Sequence, residues 1–390
     1  MIRLQEKNFQ EIIQLRRELH QFPELSNEEE KTSGRIEAAL NARGLRCESG
    51  IGGHGIVCDI PGRREDRVVA LRADIDALPV HEETGLPFSS KNAGVMHACG
   101  HDGHTSMLFG AATILQQQDL PVTVRLIWQP AEELASGARA MIAAGVMKNV
   151  RMIFGGHVDR RYKAGTLVIT DGPVNASTDM FKIEIEGQQG HGARPHEAID
   201  AVVVGSLLVT ALQTIVSREV DPAHPSVVTI GRFDAGTAAN VIAGRARLEG
   251  TIRAQYRETR QHLMKSIERI AKAIGQLHEA SVSVEFTPGT LPVVNEGRAV
   301  EIARKAAIEL VGADNVFPLH VANMGGEDFA YYLEHAEGCY IRYGAMIEGK
   351  EGFPAHSSRF DFDESAIRTG AEWLAAVAIR ASEVIANETD

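Results

Sequence analysis

The feature that most constrains this chain is a change of rhythm that begins near residue 178 and reverts after Pro288. Upstream, short apolar runs alternate with helical stretches: Val68–Leu71, a helix over Ser106–Leu115, a strand over Val122–Trp128, a helix over Gly137–Ala144 and a strand over Arg151–Phe154. Strands that are apolar throughout, separated by helices, predict an α/β domain with a largely parallel central sheet. From Phe181 to Glu186, by contrast, Phe and Ile alternate with Lys and Glu, the pattern of a strand with one wet face. A helix over about Ala198–Ser217 follows, then alternating runs at Val227–Phe233 and Ala246–Arg253. A helix over about Glu258–His278 comes next, with Leu263, Ile267, Ile270 and Ile274 on one stripe, and then a strand at Val282–Phe286. This β-α-β-β-α-β order predicts an inserted ferredoxin-like α+β module. A helix at Ala299–Val311, a strand at Gly338–Tyr343 and a helix from Glu364 resume the first pattern. The domains are therefore read as 1–178 with 288–390, interrupted by 179–287.

Local signals add detail. Phe9–Leu19 has helical spacing. Ser26 with Glu29 three residues on forms a capping-box pattern, and Gly44 sits where a helix C-terminus wants glycine. The most apolar stretch, Ala201–Val216, is interrupted by Ser206, Thr210, Gln213 and Thr214 and is shorter than the roughly 20 residues of a membrane span, so it reads as a buried helix. Lys and Arg number 40 against 52 Asp and Glu, a net charge of −12 that argues against nucleic-acid or anionic-membrane partners. Four cysteines are too few for a disulfide framework, and the first residues lack an apolar leader core. A cytoplasmic, reduced protein is expected.

Metal-capable side chains gather in a few places. Met96–His104 holds three histidines, a cysteine and an aspartate within nine residues. Glu132 and Glu133 follow the strand ending at Trp128, His157 follows the one ending at Phe154, and Asp74 and Asp76 follow Val68–Leu71. Functional groups in α/β sheets collect at the carboxyl ends of strands. Thiolate, imidazole and carboxylate together suit Zn²⁺ or a neighbouring ion such as Mn²⁺, Co²⁺ or Ni²⁺. Two such ions about 3.5–4 Å apart activate a water between them. Of the paired glutamates, one can ligate while the other stays free as general base. The remaining candidates read as structural: Cys47, Cys58 and Cys339 as packing, His20, His81 and His278 as satisfied or surface histidines, and Glu28–Glu30 as a solvated helix start.

Together these strings resemble the M20 metallopeptidase and amidohydrolase family, and most closely its N-acyl amino acid amidohydrolases. The resemblance runs through Arg16–Glu24, Arg72–Pro79, Met96–His104, Gln129–Glu133, Gly156-His157, Gly190-His191, Met324–Phe329 and His356-Ser357. It implies a binuclear centre of two divalent ions (Zn²⁺ or Mn²⁺, with Co²⁺ or Ni²⁺ as variants) bound by Cys99, His101, Glu133, His157 and His356. It implies Glu132 as general base, and Asp74 behind the site to orient a ligand or its neighbours. The inserted module resembles the family's lid and dimerisation domain, which implies a homodimer or higher oligomer. Within it, His191 matches a histidine that polarises the scissile carbonyl, and Asn240 and Arg253 match positions that grip a substrate carboxylate. A planar guanidinium is apt for that grip.

Two departures stand out. Leu134 and its neighbours replace a run of glycines after the glutamate pair, which reshapes the acyl pocket. His356-Ser-Ser-Arg359 lacks a proline usual there, which alters loop stiffness. The expected reaction is hydrolysis of an N-acyl-L-amino acid to a carboxylic acid and an amino acid. A dipeptidase or carboxypeptidase on the same centre is the nearest rival. A metal-dependent binder would have no use for a second, unliganded glutamate, and no P-loop or Rossmann glycine pattern supports phosphate chemistry.

Overall fold

The computed structural model describes residues 3–349 and 352–388. The chain forms two compact units. The first comprises residues 1–174, 295–321 and 328–390, and the second comprises 175–294 with 322–327.

The first unit is built on an eight-stranded sheet. Its four central strands, Val122–Gln129, Arg64–Asp74, Val150–Lys163 and Glu337–Met346, lie side by side and run parallel. The margins are different. A hairpin of Glu48–Ile51 and Gly55–Ile60 adds antiparallel to Val122–Gln129, and Leu167–Val168 adds antiparallel to Glu337–Met346. The eighth strand, Val316–Phe317, runs parallel to Leu167–Val168 at the far edge, so the sheet is mixed: a parallel centre whose margins join it in the antiparallel sense. Val68, Val69, Ala70 and Leu71 are all buried, as expected of a strand covered on both faces.

Among the described residues, six α-helices belong to this unit, and two of them explain the depth of its core. Every residue of His101–Leu115 is buried. Helix Ser365–Ala386 packs against it closely: a Cβ at Gly110 would lie 2.6 Å from the Cβ of Ala371. A helix buried all round needs apolar or internally satisfied residues on every face. Here Thr113 and Ser106 meet that need by donating to the carbonyls of Phe109 and Asp102. Trp128, Phe154, Ile341 and Trp373 complete the core, each fully buried aliphatic or aromatic side chain contributing roughly 1.5–3 kcal/mol.

Several local expectations are corrected. The helix predicted from Ser106 starts at His101, and the strand predicted to end at Phe154 continues to Lys163, so His157 lies within it. The helix Glu30–Ala42 has no capping box: Ser26 Oγ donates instead to Asp76 Oδ2 at 2.7 Å. Its C-terminus does close on Gly44, whose N–H reaches Asn41 O while Leu45 N–H reaches Leu40 O. Glu29, read as a solvated charge, is wholly buried.

The second unit has the chain order strand, helix, strand, strand, helix, strand. Its four-stranded antiparallel sheet is ordered Ser226–Ala235, Arg245–Ala254, Ser177–Glu186, Ser281–Pro288. Phe181, Ile183 and Ile185 point to a core shared with Leu263, Ile267 and Ile270 of helix Arg257–Leu277. Helix Ala201–Thr214, capped by Asp200 and prolonged by a π turn to Glu219, buries Val204, Leu208 and Leu212 there. Among the described residues, Ala201–Glu219 is the one helix long and apolar enough to cross a membrane. Segment 322–327 joins this unit because Ala176 N–H bonds to Asn323 O and the Asn175 side-chain amide bonds to Gly325 O and Gly326 O. No pattern in the sequence marks that return.

Candidate metal centre

The parallel strands of the first unit bring their carboxyl ends to the start of helix His101–Leu115. Gly100 turns the chain into that helix at φ 89°, a left-handed conformation open to glycine. A Cβ there would also strike Val158 Cγ2 at 2.6 Å. His101 and His104 open the helix three residues apart and so project from one face. His157, from the middle of strand Val150–Lys163, lies edge-on to both, with ring centroids 6.1 and 4.6 Å away.

The nitrogens sort by their partners. His101 Nδ1 lies 3.0 Å from the Asp76 carbonyl oxygen and 3.2 Å from Asp76 Oδ1. A carbonyl only accepts, so Nδ1 carries the proton and Nε2 is turned inward, where it is buried with no hydrogen-bond partner. His157 Nδ1 likewise donates to Val158 O at 2.8 Å, leaving Nε2 3.2 Å from Cys99 Sγ. His104 uses both nitrogens, Nδ1 on Asp74 Oδ1 at 2.7 Å and Nε2 accepting Val158 N–H at 2.9 Å, so it has no lone pair left for a ligand.

Carboxylates complete the set. Glu133 Oε1 is buried without a hydrogen bond, 3.8 Å from His101 Nε2 and 3.4 Å from His356 Nε2. Donor atoms of Cys99, His101 and His157, of Cys99, Glu133 and His356, and of His101, Glu132 and Glu133 each lie within 4.8 Å of one another. The glutamate pair sits in a tight turn with Ala131 at φ 49° and Ala135 at φ 53°. His356, at φ 69°, is held by its N–H on Ala98 O at 2.8 Å. Strained backbone at such positions costs of order 1–3 kcal/mol each and persists where surrounding contacts fix it.

Electrostatics favour a cation. Burial pushes the Cys99 thiol up to about 12, whereas a bound metal deprotonates a thiol outright. Burial opposes charge on His101, yet Asp74 and Asp76 raise its pKa well above the ordinary value. Burial, with the nearby Arg342 guanidinium, keeps His157 well below its own, and so neutral with a lone pair available. His101 Nε2 and Glu133 Oε1 are both buried without a hydrogen bond, and an unmet buried polar group costs roughly 1–3 kcal/mol. A divalent ion among sulfur, nitrogen and oxygen donors relieves both, so these residues fit the group that the sequence implies.

Asp74 stands one layer back. It binds Arg72 Nη1 at 2.7 Å and His104, with Arg72 in turn bridging to Gln129 and Asp328 at 2.8 Å. Burial alone would raise its pKa, but the His101 and Arg72 charges hold it well below the carboxylate range. The carboxylate that contacts a candidate ligand is Asp76, which the sequence placed only in a cluster. His20 is a satisfied structural histidine, between Asp102 at 2.9 Å and Glu82 at 3.3 Å. Arg16 adds a 2.8 Å ion pair to the same Asp102.

In the second unit, strand Gly190–His191 pairs with Val241–Ile242, and Gly192 N–H bonds to Asn240 O, so His191 and Asn240 are neighbours. His191 Nδ1 accepts Ala193 N–H at 3.0 Å. Arg253 lies on strand Arg245–Ala254 and donates to Met324 O at 3.2 Å.

Residues 70–380 match the family described as Peptidase family M20/M25/M40. The chain is 44% identical over 288 residues to an N-acyl-L-amino acid amidohydrolase of Geobacillus stearothermophilus, covering 73% of this chain and 78% of that one. It is 38% identical over 379 residues to thermostable carboxypeptidase 1 of Saccharolobus solfataricus, covering 95% of each. It is similar to the structure of a dinuclear metal-binding peptidase of the M20 family from Bacillus subtilis, with TM-score 0.86 and 36% identity, covering 97% of this chain and 99% of that chain.

Proposed function

The chain belongs to the M20/M25/M40 peptidase family, a family of hydrolases, and we propose that it cleaves the amide bond of N-acyl-L-amino acids. The observation that carries this reading is the inward-facing pair His101 Nε2 and Glu133 Oε1, buried without a hydrogen bond, with a second glutamate, Glu132, beside them. Cys99, His101, Glu133, His157 and His356 would hold two divalent ions, Zn²⁺ or Mn²⁺ by donor type, with Co²⁺ or Ni²⁺ as substitutes. When bound, such ions polarise a carbonyl and bring the pKa of a water toward about 7.

The chain's own residues do the rest. Glu132 removes the proton of the attacking water and returns it to the departing amine. His191 Nε2 donates toward the developing oxyanion. Asn240 and Arg253 hold the amino acid's carboxylate and so orient the substrate. Asp74 keeps His104, and through it the Val158 amide, in place beside the ligands. The strand order of the second unit supports a ferredoxin-like lid, and the resemblance of that unit supports a homodimer built through it. Four free thiols fit a reducing compartment, the cytoplasm.

The carboxypeptidase relative favours a second reading, a peptidase on the same centre. The deciding experiment is amine release from N-acyl amino acids and dipeptides by stripped protein reloaded with each metal in turn. Metal-dependent turnover of the acylated amino acids is expected, and turnover of dipeptides alone would replace this reading by the second.

A further inference from the structure

We infer that Glu29 is a positioning residue for Glu132, an assignment that rests on Glu132 being the base. Glu29 lies in the connection between the first two helices, a hundred residues before the glutamate pair, yet its carboxylate is wholly buried. Its Oε1 accepts the Ala131 N–H at 2.8 Å. Ala131 is the residue at φ 49° that turns the chain into Glu132, and an alanine does not hold that conformation without help. On the other side of Glu132, the Glu133 N–H donates to Asp76 Oδ2 at 3.0 Å, and the same oxygen receives Ser26 Oγ at 2.7 Å. The amides either side of the base are thus held by two buried carboxylates, and both carboxylates are tied to the Ser26–Glu29 segment.

The two supports are not equivalent. Asp76 also contacts His101, so its loss disturbs a ligand. Glu29 accepts the Ala131 amide and, among the described residues, makes no hydrogen bond to a metal-ligand side chain. Its removal should free the turn to relax about Ala131 and swing Glu132 while leaving the ligand cluster in place. Misplacement of a reacting group by about 1 Å costs on the order of 100-fold in rate. Glutamine at this position keeps an oxygen acceptor for the amide, whereas alanine removes it and aspartate withdraws it by one methylene.

The test compares Glu29→Ala, Glu29→Asp, Glu29→Gln and Glu132→Gln in the metal-loaded protein, recording kcat, KM, bound metal and the far-ultraviolet spectrum. Glu29→Ala is expected to lower kcat by about 30- to 100-fold with KM within about threefold and full metal content. Glu29→Asp should fall between Ala and the parent, and Glu29→Gln should recover most of kcat. If Glu29→Ala does not fold, the Asp and Gln pair carries the comparison. A folded, metal-loaded Glu29→Ala or Glu29→Asp with parental kcat overturns the inference, as does a Glu29→Gln no better than alanine. A near-normal Glu132→Gln instead removes the base assignment itself, whatever Glu29 does.

Discussion

Replacing Asp76 by alanine separates the metal site from the fold that carries it. Asp76 is wholly buried and makes three side-chain contacts, to His101 Nδ1 at 3.2 Å, Glu133 N–H at 3.0 Å and Ser26 Oγ at 2.7 Å. Two effects follow. The Glu133 amide loses its acceptor in a buried setting, which costs the apo protein about 1–3 kcal/mol. Glu133 also loosens and His101 keeps only its 3.0 Å bond to the Asp76 carbonyl oxygen, and removal of such an outer partner typically weakens metal binding by about 10- to 100-fold. At a free metal concentration 100 times the parental dissociation constant, binding stabilises the parent by about 2.7 kcal/mol. If affinity falls 100-fold, the same concentration equals the variant's constant, and the stabilisation shrinks to about 0.4 kcal/mol. The assay is urea unfolding of both proteins, stripped and metal-loaded, in parallel with a competitive chelator titration. The stripped difference reports the structural part, and the metal-induced increment reports the site. An unchanged increment in a folded Asp76→Ala protein would refute the reasoning, because it would mean that His101 and Glu133 hold their places without this carboxylate.

Other outcomes follow from the same geometry. Arg253→Ala should raise KM for substrates with a free carboxylate by at least about tenfold and change their carboxylate-blocked counterparts less, about 1.4 kcal/mol marking the difference; an equal loss on both would take Arg253 out of the carboxylate role. Metal affinity should fall as pH falls, because protons on Cys99, whose thiol is pushed up to about 12, and on His101, whose pKa is raised, must be displaced. Each displaced proton should contribute about tenfold per pH unit, and a flat pH dependence in a chelator competition would contradict these protonation states. Trp128→Ala, at a fully buried position beneath the site, should lower unfolding free energy by about 3–5 kcal/mol in urea, and a loss under about 1 kcal/mol would show that the core collapses freely there.

What the sequence determined by itself is what short-range pattern and side-chain chemistry can carry. Uninterrupted apolar runs require strands covered on both faces, and alternation in Phe181–Glu186 requires one wet face. Thiol, imidazole and carboxylate groups collected at strand ends identify a metal centre because few other arrangements bring those donors together. The side chains of Cys99, His101, Glu133, His157 and His356 do converge. Tertiary structure decided whatever depends on which lone pair faces where. His104 looks like a ligand in the sequence, but the distant Val158 amide takes its second nitrogen. Asp76 rather than Asp74 hydrogen-bonds His101, Asp74 standing at 3.9 Å, a matter of two residues that the strand's end geometry settles. Glu29 reads as a solvated charge because local sequence holds no trace of the Ala131 amide waiting a hundred residues away. The mixed margins of the sheet were illegible for the same reason: Gly55–Ile60 pairs with Val122–Gln129 and Leu167–Val168 with Glu337–Met346, partners distant in the chain that only the assembled backbone brings together.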